Sequence, residues 1–159
     1  MLHQTPTDRV TERVTEIVAE HADREGPLLP ILHDVQEELG HVPEEAVAAI
    51  AAALNLSRAE VHGVVSFYHD FRARPAGRHV IKICRAEACQ SMGGDALSER
   101  AHALLGIGWN ETSADGSVTL EAVYCLGLCA CAPAATVDGK LVARLDEKRL
   151  DAIVEEVRA

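Results

Sequence analysis

Two short cysteine-bearing stretches constrain this chain more than any other feature. "CRAEAC" runs from Cys84 to Cys89, and "CLGLCAC" runs from Cys125 through Cys129 to Cys131. The first is a C-x4-C pair and the second opens with a C-x3-C pair, with residues 90–124 between them. The opening "MLHQTPTDRV" lacks the apolar run of an export signal. The Ala-rich run from Val47 to Leu54 is too short to span a bilayer. A cytoplasmic location without membrane insertion is therefore expected, and structural disulfides are uncommon there. Five cysteines in such a chain point to metal ligation, chemistry or inert burial.

Each pair follows a β-type run. "HVIKIC" ends on Cys84 and "SVTLEAVYC" ends on Cys125. If the two strands are neighbours, their C-terminal ends set the two loops side by side, with four thiolates around one point. Matched pairs at two strand ends argue against inert burial. Thiolates are soft ligands that suit zinc and iron. A zinc site would add folding energy, whereas a [2Fe-2S] cluster would carry one electron. The spacing leaves both open. The small residues of "RAEACQSMGG" and "CLGLCACAP" let backbone N–H groups approach sulfur, which suits a cluster.

The rest of the chain divides in character. Val10, Val14, Ile17 and Val18 recur at helical spacing. "GPLLPILHDVQEELG" starts with prolines and stops at Gly40, and "PEEAVAAIAAAL" starts with Pro43 and two acidic residues. "SRAE" from Ser57 to Glu60 is a capping-box pattern before "VHGVVSFYHDF". Four short helices are expected before Arg74, with Pro75 and Gly77 as punctuation. Beyond them come the strand ending on Cys84, a helix over "GGDALSERAHALLG" and the strand ending on Cys125. A hairpin turning at Asp138-Gly139 follows, then a last helix capped by Asp146 with Leu150, Ile153, Val154 and Val157 on one stripe. This order predicts a small α/β layer domain with a mixed sheet. The boundaries expected are a helical domain over 1–74 and an α/β domain over 75–159. Hydrophobic residues make up 48% of the chain but aromatics only 3%, so the cores must be aliphatic. The formal charge of −10 argues against nucleic acid, which is bound by neutralising phosphates.

The motifs together resemble a known family. "LLPILHDVQEELGHVPEEAVAAIAAALNLSRAEVHGVVSFYHDF", "CRAEAC" and "CLGLCACAP" are similar to the thioredoxin-like [2Fe-2S] subunit of NADH:quinone oxidoreductase, its 24-kDa-type subunit. They are similar too to the gamma subunit of NAD-dependent formate dehydrogenase and to the matching subunit of NAD-linked hydrogenases. The resemblance implies an α+β two-part chain, with an N-terminal helical bundle followed by a thioredoxin-like α/β [2Fe-2S] ferredoxin domain. It implies one [2Fe-2S] cluster held by Cys84, Cys89, Cys125 and Cys129. It also implies FMN and NAD on a partner subunit, and a larger iron–sulfur or substrate-oxidising subunit in the same complex. The helical part would contact the flavin-bearing subunit. Two departures stand out. "RAEAC" puts Arg85 and Glu87 where relatives often carry smaller residues, and Cys131 stands where many have no cysteine.

Other residues carry weaker signals. Lys82 and Arg85 could raise a cluster's potential or simply be solvated. Gly93 and Gly94 suggest close packing more than a phosphate site, since the Walker and dinucleotide patterns are missing. Gly127 suits a bend with positive φ. His62 and His69 read as surface or inter-domain contacts rather than ligands. Phe67, Tyr68 and Phe71 suggest a packing seam or partner surface. Trp109 reads as a rim contact or a partly buried side chain. With no base–nucleophile pair and no flavin fingerprint, the chain is expected to be a non-catalytic electron carrier in an NAD-linked oxidoreductase. Its bare length and the ending "VEEVRA" point to the formate enzyme. The quinone oxidoreductase or hydrogenase subunit is the alternative, and a zinc-bound structural subunit or free ferredoxin comes from another class.

Overall fold

A computed structural model describes residues 6–158, which fall into two compact units on either side of the Pro75–Ala76 junction. The first is a bundle of four helices: α1 (Pro6–Glu20), α2 (Leu28–Leu39), α3 (Glu44–Leu54) and α4 (Arg58–Phe67). Its core is aliphatic, with Val14, Ile17, Ile31, Leu32, Val35, Ile50 and Val61 buried together. The helix ends follow the sequence signals. Gly40 closes α2 in the left-handed conformation, and the Ser57–Glu60 capping box is formed in both directions. The α4 helix is shorter than the apolar run suggests. Tyr68 leaves it in an extended conformation, and the turn returns Phe71 to the core at 8% exposure.

The second unit is one five-stranded sheet with helices packed on it. Its elements are β1 (His79–Cys84), α5 (Glu87–Ser91), α6 (Gly94–Leu105), β2 (Glu111–Thr112), β3 (Val118–Val123), β4 (Ala134–Val137), β5 (Lys140–Ala143) and α7 (Glu147–Arg158). The sheet order is β2-β3-β1-β4-β5. Strands β1 and β3 are parallel and the other pairings antiparallel. Alternation along the strands sorts the two faces. Ile81, Ile83, Val118 and Leu120 join Leu97, Ala101 and Leu105 of α6 and Leu150, Val154 and Val157 of α7 in one core. Burying each large aliphatic side chain there contributes about 1.5–3 kcal/mol. Lys82 lies opposite Glu121 on β3 and Thr136 on β4, so the other face carries a polar row. Arg100 grips Asp151 with two guanidinium nitrogens, which ties α6 to α7.

The Asp138-Gly139 turn is formed, with φ of 50° and 77°, which matches the tight hairpin expected. Asp146 accepts the Arg149 N–H at 2.8 Å and caps α7. The two-residue strand β2 was not expected. It is too short for an alternation signal and exists by pairing with β3.

Candidate metal centre

The parallel pairing of β1 with β3 positions the cysteines. Cys84, the last residue of β1, lies opposite Val123, the last residue of β3, and the Arg85 N–H donates to the Val123 carbonyl at 2.8 Å. The chains leaving both strands therefore emerge side by side. Strand β3 does not run to Cys125 as expected. The strand stops at Val123, and Cys125 takes a left-handed φ of 82°. An extended backbone would carry the chain straight on, whereas the left-handed residue turns it back. Gly127, at φ 77°, completes the reversal, and its N–H lies 3.4 Å from the Cys125 sulfur. Cys129 then opens a single 3-10 turn, Cys129–Cys131, and its Sγ stands 3.7 Å from that of Cys125.

Cys89 does not sit in a loop as expected, but in the short helix α5. That helix turns its thiol towards Cys84, with which it hydrogen-bonds. Cys84 and Cys89 are 3% and 2% exposed and pack with Ala134 in a small apolar cluster. Ala86, Val123, Leu126, Leu128 and Ala132 surround it. Cys125 and Cys129 are exposed. The four thiols thus form two pairs, one buried and one open.

The local electrostatics tie the pairs together. Burial pushes the Cys84 thiol up, but N–H groups of Ala86, Cys125 and Leu126 and the Cys89 thiol outweigh it and hold Cys84 below its ordinary value. Cys89 is pushed up by burial and by its hydrogen bond to Cys84, and an Ala134 N–H opposes this. Cys129 is pushed up by its hydrogen bond to Cys125 and by the charges of Cys125 and Cys84. Backbone N–H groups aimed at sulfur are a setting in which thiolates can hold a cationic centre.

The spacing of the Cys125–Cys129 pair fits one tetrahedral metal, iron or zinc alike. A tetrahedral metal with bonds to sulfur of about 2.3 Å, the zinc value, sets two ligand sulfurs about 3.8 Å apart. The 3.7 Å between Cys125 and Cys129 matches that for one metal. Among the described residues, no group of three or more His, Cys, Asp or Glu side chains stands close enough together to hold a metal ion. Cys131, partly exposed, has its backbone engaged with Leu128 and Arg144.

The remaining residues separate. Lys82 is paired with Glu121 at 3.2 Å. Arg85 lies over the Trp109 ring, its Cζ 5.5 Å from the ring centre. Trp109 packs partly buried against the sheet core, with the His102 ring edge-on at 4.6 Å. Nothing in the sequence signalled that Arg85 and Trp109 meet. Gly94 serves close packing, because a Cβ there would meet the Cys89 carbonyl. His62 and His69 are exposed in the helical unit. The aromatic trio divides: Phe67 and Tyr68 are 72% and 44% exposed, whereas Phe71 is core. Among the described residues, no helix is long and apolar enough to cross a membrane.

The chain is 35% identical over 148 residues to an NADH-quinone oxidoreductase subunit of Rhizobium meliloti (strain 1021), covering 93% of this chain and 88% of that protein. It is 35% identical over 144 residues to an NADH-quinone oxidoreductase subunit of Mycobacterium tuberculosis (strain ATCC 25618 / H37Rv), spanning 91% of this chain but 57% of that one. It is 30% identical over 146 residues to the NAD-reducing hydrogenase HoxS subunit alpha of Cupriavidus necator (strain ATCC 17699 / DSM 428 / KCTC 22496 / NCIMB 10442 / H16 / Stanier 337). That match covers 92% of this chain and 24% of the hydrogenase subunit. Among solved structures, an NAD+-reducing [NiFe]-hydrogenase in the air-oxidized state superposes with a TM-score of 0.71 at 30% identity. It covers 83% of this chain and 23% of the hydrogenase chain. The family model for thioredoxin-like [2Fe-2S] ferredoxins matches residues 14–158. Strand ends bearing paired thiols and a family model spanning both units lead to one conclusion: this chain belongs to the thioredoxin-like [2Fe-2S] ferredoxin family.

Proposed function

We propose that this chain is the electron-transfer subunit of an NAD-linked, flavin-containing oxidoreductase of the NADH-quinone oxidoreductase or NAD-reducing hydrogenase type. Cys84 and Cys89 would hold one iron of a [2Fe-2S] cluster, and Cys125 and Cys129 the other. The observation that carries this reading is the arrangement of four thiols as two pairs at the ends of adjacent parallel strands. When bound, such a cluster stores a single electron. The chain's own residues do the rest. The apolar shell around Cys84 and Cys89 keeps water from one side, and the N–H groups of Ala86, Cys125, Leu126 and Ala134 stabilise charge on sulfur. The exposed pair, Cys125 and Cys129, is the face through which a partner would exchange an electron.

Hydride chemistry needs two electrons at once, so it falls to a partner subunit bearing FMN and NAD. A larger iron–sulfur or substrate-oxidising subunit would complete the complex. The named relatives support the quinone oxidoreductase or hydrogenase reading over the formate dehydrogenase gamma subunit, which rested on chain length and ending alone. A zinc-bound structural role is disfavoured by the family match.

The test is reduction by NADH with and without the flavin-bearing partner. The purified holo-chain alone should stay oxidised with NADH and be reduced by dithionite. With the partner added, NADH should produce an S = 1/2 EPR signal at low temperature. Rapid NADH reduction of the lone chain would contradict the proposed division of labour.

A further inference from the structure

The two thiol pairs differ in what can reach them. Cys125 and Cys129 are exposed, with their sulfurs 3.7 Å apart. The sulfurs of Cys84 and Cys89 are hydrogen-bonded to each other as well, so proximity alone does not separate the pairs. Access does. Cys84 and Cys89 are buried with Ala134, and Ala86, Val123, Leu126 and Leu128 pack around them. N–H groups of Ala86, Cys125 and Leu126 donate to the Cys84 sulfur. Two of those donors belong to the loop of the open pair, so the start of that loop is anchored on the buried sulfur.

Cys131 is the remaining thiol. Its N–H donates to the Leu128 carbonyl at 2.8 Å, and its own carbonyl accepts the Arg144 N–H at 2.8 Å, which pins it at the end of the 3-10 turn. Such a turn has about three residues per revolution, so the side chains of Cys129 and Cys131 diverge. A disulfide needs its sulfurs about 2.05 Å apart. The open pair reaches that by closing about 1.7 Å, which rotation of the two side chains supplies. Gly127, already at a positive φ, lies inside the loop that the bond would close and lets it adjust.

We propose that in the cluster-free chain Cys125 and Cys129 form a reversible disulfide that closes the site to metal, while Cys84, Cys89 and Cys131 stay thiols. The oxidant is a small disulfide, oxidised glutathione. One thiolate of the open pair attacks a glutathione sulfur and releases one glutathione thiolate. The other cysteine sulfur then displaces the second glutathione from the mixed disulfide. The two cysteines together lose two electrons and two protons, and the glutathione disulfide gains them as two thiols. A dithiol reductant reverses the step. The bond shields two exposed thiols from the irreversible sulfinic and sulfonic states and leaves the buried pair ready for reloading. The consequence for iron rests on the ligand assignment proposed above, whereas the oxidation itself does not.

The test uses the full chain in two forms, cluster-loaded and stripped with an iron chelator. Each is incubated anaerobically with oxidised glutathione, free thiols are alkylated, and bonds are mapped by peptide mass spectrometry. The stripped chain should gain one disulfide, Cys125–Cys129, at least about tenfold faster than any bond to Cys84, Cys89 or Cys131, because access limits the exchange. Cys131→Ser should oxidise as wild type does. The oxidised chain should take up iron and sulfide at least about tenfold more slowly than the reduced one, since metal binds thiolates, and dithiothreitol should restore the rate. A Cys84–Cys89 bond, mixed bonds that include Cys131, or a chain whose five thiols all survive overturns the proposal. So does an oxidised chain that loads as fast as the reduced one. A loaded chain that forms the Cys125–Cys129 bond as fast as the stripped one overturns the ligand assignment and supports the disulfide.

Discussion

Gly94 stands so close to Cys89 that a Cβ on it would lie 2.6 Å from the Cys89 carbonyl oxygen. The start of α6 thereby fixes the short helix that presents a buried thiol. Ala is otherwise the better helix former by up to about 1 kcal/mol. Overpacking against backbone costs about 1–3 kcal/mol and wins. Gly94→Ala should therefore lower the urea midpoint and reduce iron content per chain. A variant as stable and as fully loaded as wild type would remove the packing role.

The two cysteines of the 3-10 turn should behave differently. Cys129 faces Cys125 at 3.7 Å, whereas Cys131 lies two residues further on, with its carbonyl accepting the Arg144 N–H. Cys131→Ser is expected to leave the visible spectrum intact, and Cys129→Ser to abolish or grossly alter it. The reverse pattern would move the ligand assignment to Cys131. A Cys129→Ser spectrum that disappears only when Cys131 is also replaced would show ligand exchange.

Asp138 links the hairpin turn to β1. Its carboxylate accepts the Val80 N–H at 2.8 Å and pairs with His79 at 2.8 Å. Burial pushes its pKa up, but the His79 contact and the Val80 N–H outweigh that and hold it below the ordinary carboxylate range. A depressed carboxylate stabilises fully above its unfolded value of about 3.9, and that contribution is lost as pH falls through the lower folded value. Asp138→Ala should cost about 1–2 kcal/mol at neutral pH, allowing for partial exposure. The gap to wild type should narrow below about pH 4. It should not close, because Ala also bears the strain of a positive φ at this turn. Chemical unfolding at several pH values reads both effects, and a gap that widens in acid would refute the account.

Phe67 and Tyr68 are exposed side by side at the end of α4, with ring centres 5.1 Å apart. Exposed aromatic pairs are frequent anchors of protein interfaces. Replacing both with Ser should weaken binding to the flavin-bearing partner at least tenfold in a titration. It should change the thermal midpoint and the visible spectrum little, because neither ring is core. Undiminished partner binding would remove docking from this part of the helical unit.

Much of this molecule is legible in its sequence wherever the cause is local. Ser57 and Glu60 announce a helix start by their own chemistry. Asp138-Gly139 announces a hairpin because few residues accept two positive φ values. The β-type runs before Cys84 and Cys125 announce two strands, and β1 and β3 do end side by side. The misses share a different cause. Strand β2 exists through pairing with β3, which no window of two residues can reveal. Cys125 reads as strand because its neighbours favour strand, yet the chain reverses there through a left-handed φ. Phe67, Tyr68 and Phe71 read together as a packing seam or partner surface, and only the turn after α4 separates them by folding Phe71 into the core. The contact of Arg85 with Trp109 joins segments 24 positions apart, 109 − 85, and only the folded sheet brings them together.

The claim on which the rest depends is that the four thiols hold two irons. Iron, zinc and acid-labile sulfide should be measured on anaerobically purified protein, with the visible spectrum recorded before and after dithionite. The account predicts a red-brown protein with about two irons and about two sulfides per chain, whose visible absorbance bleaches on reduction. A colourless protein that carries one tightly bound zinc and no labile sulfide would contradict it.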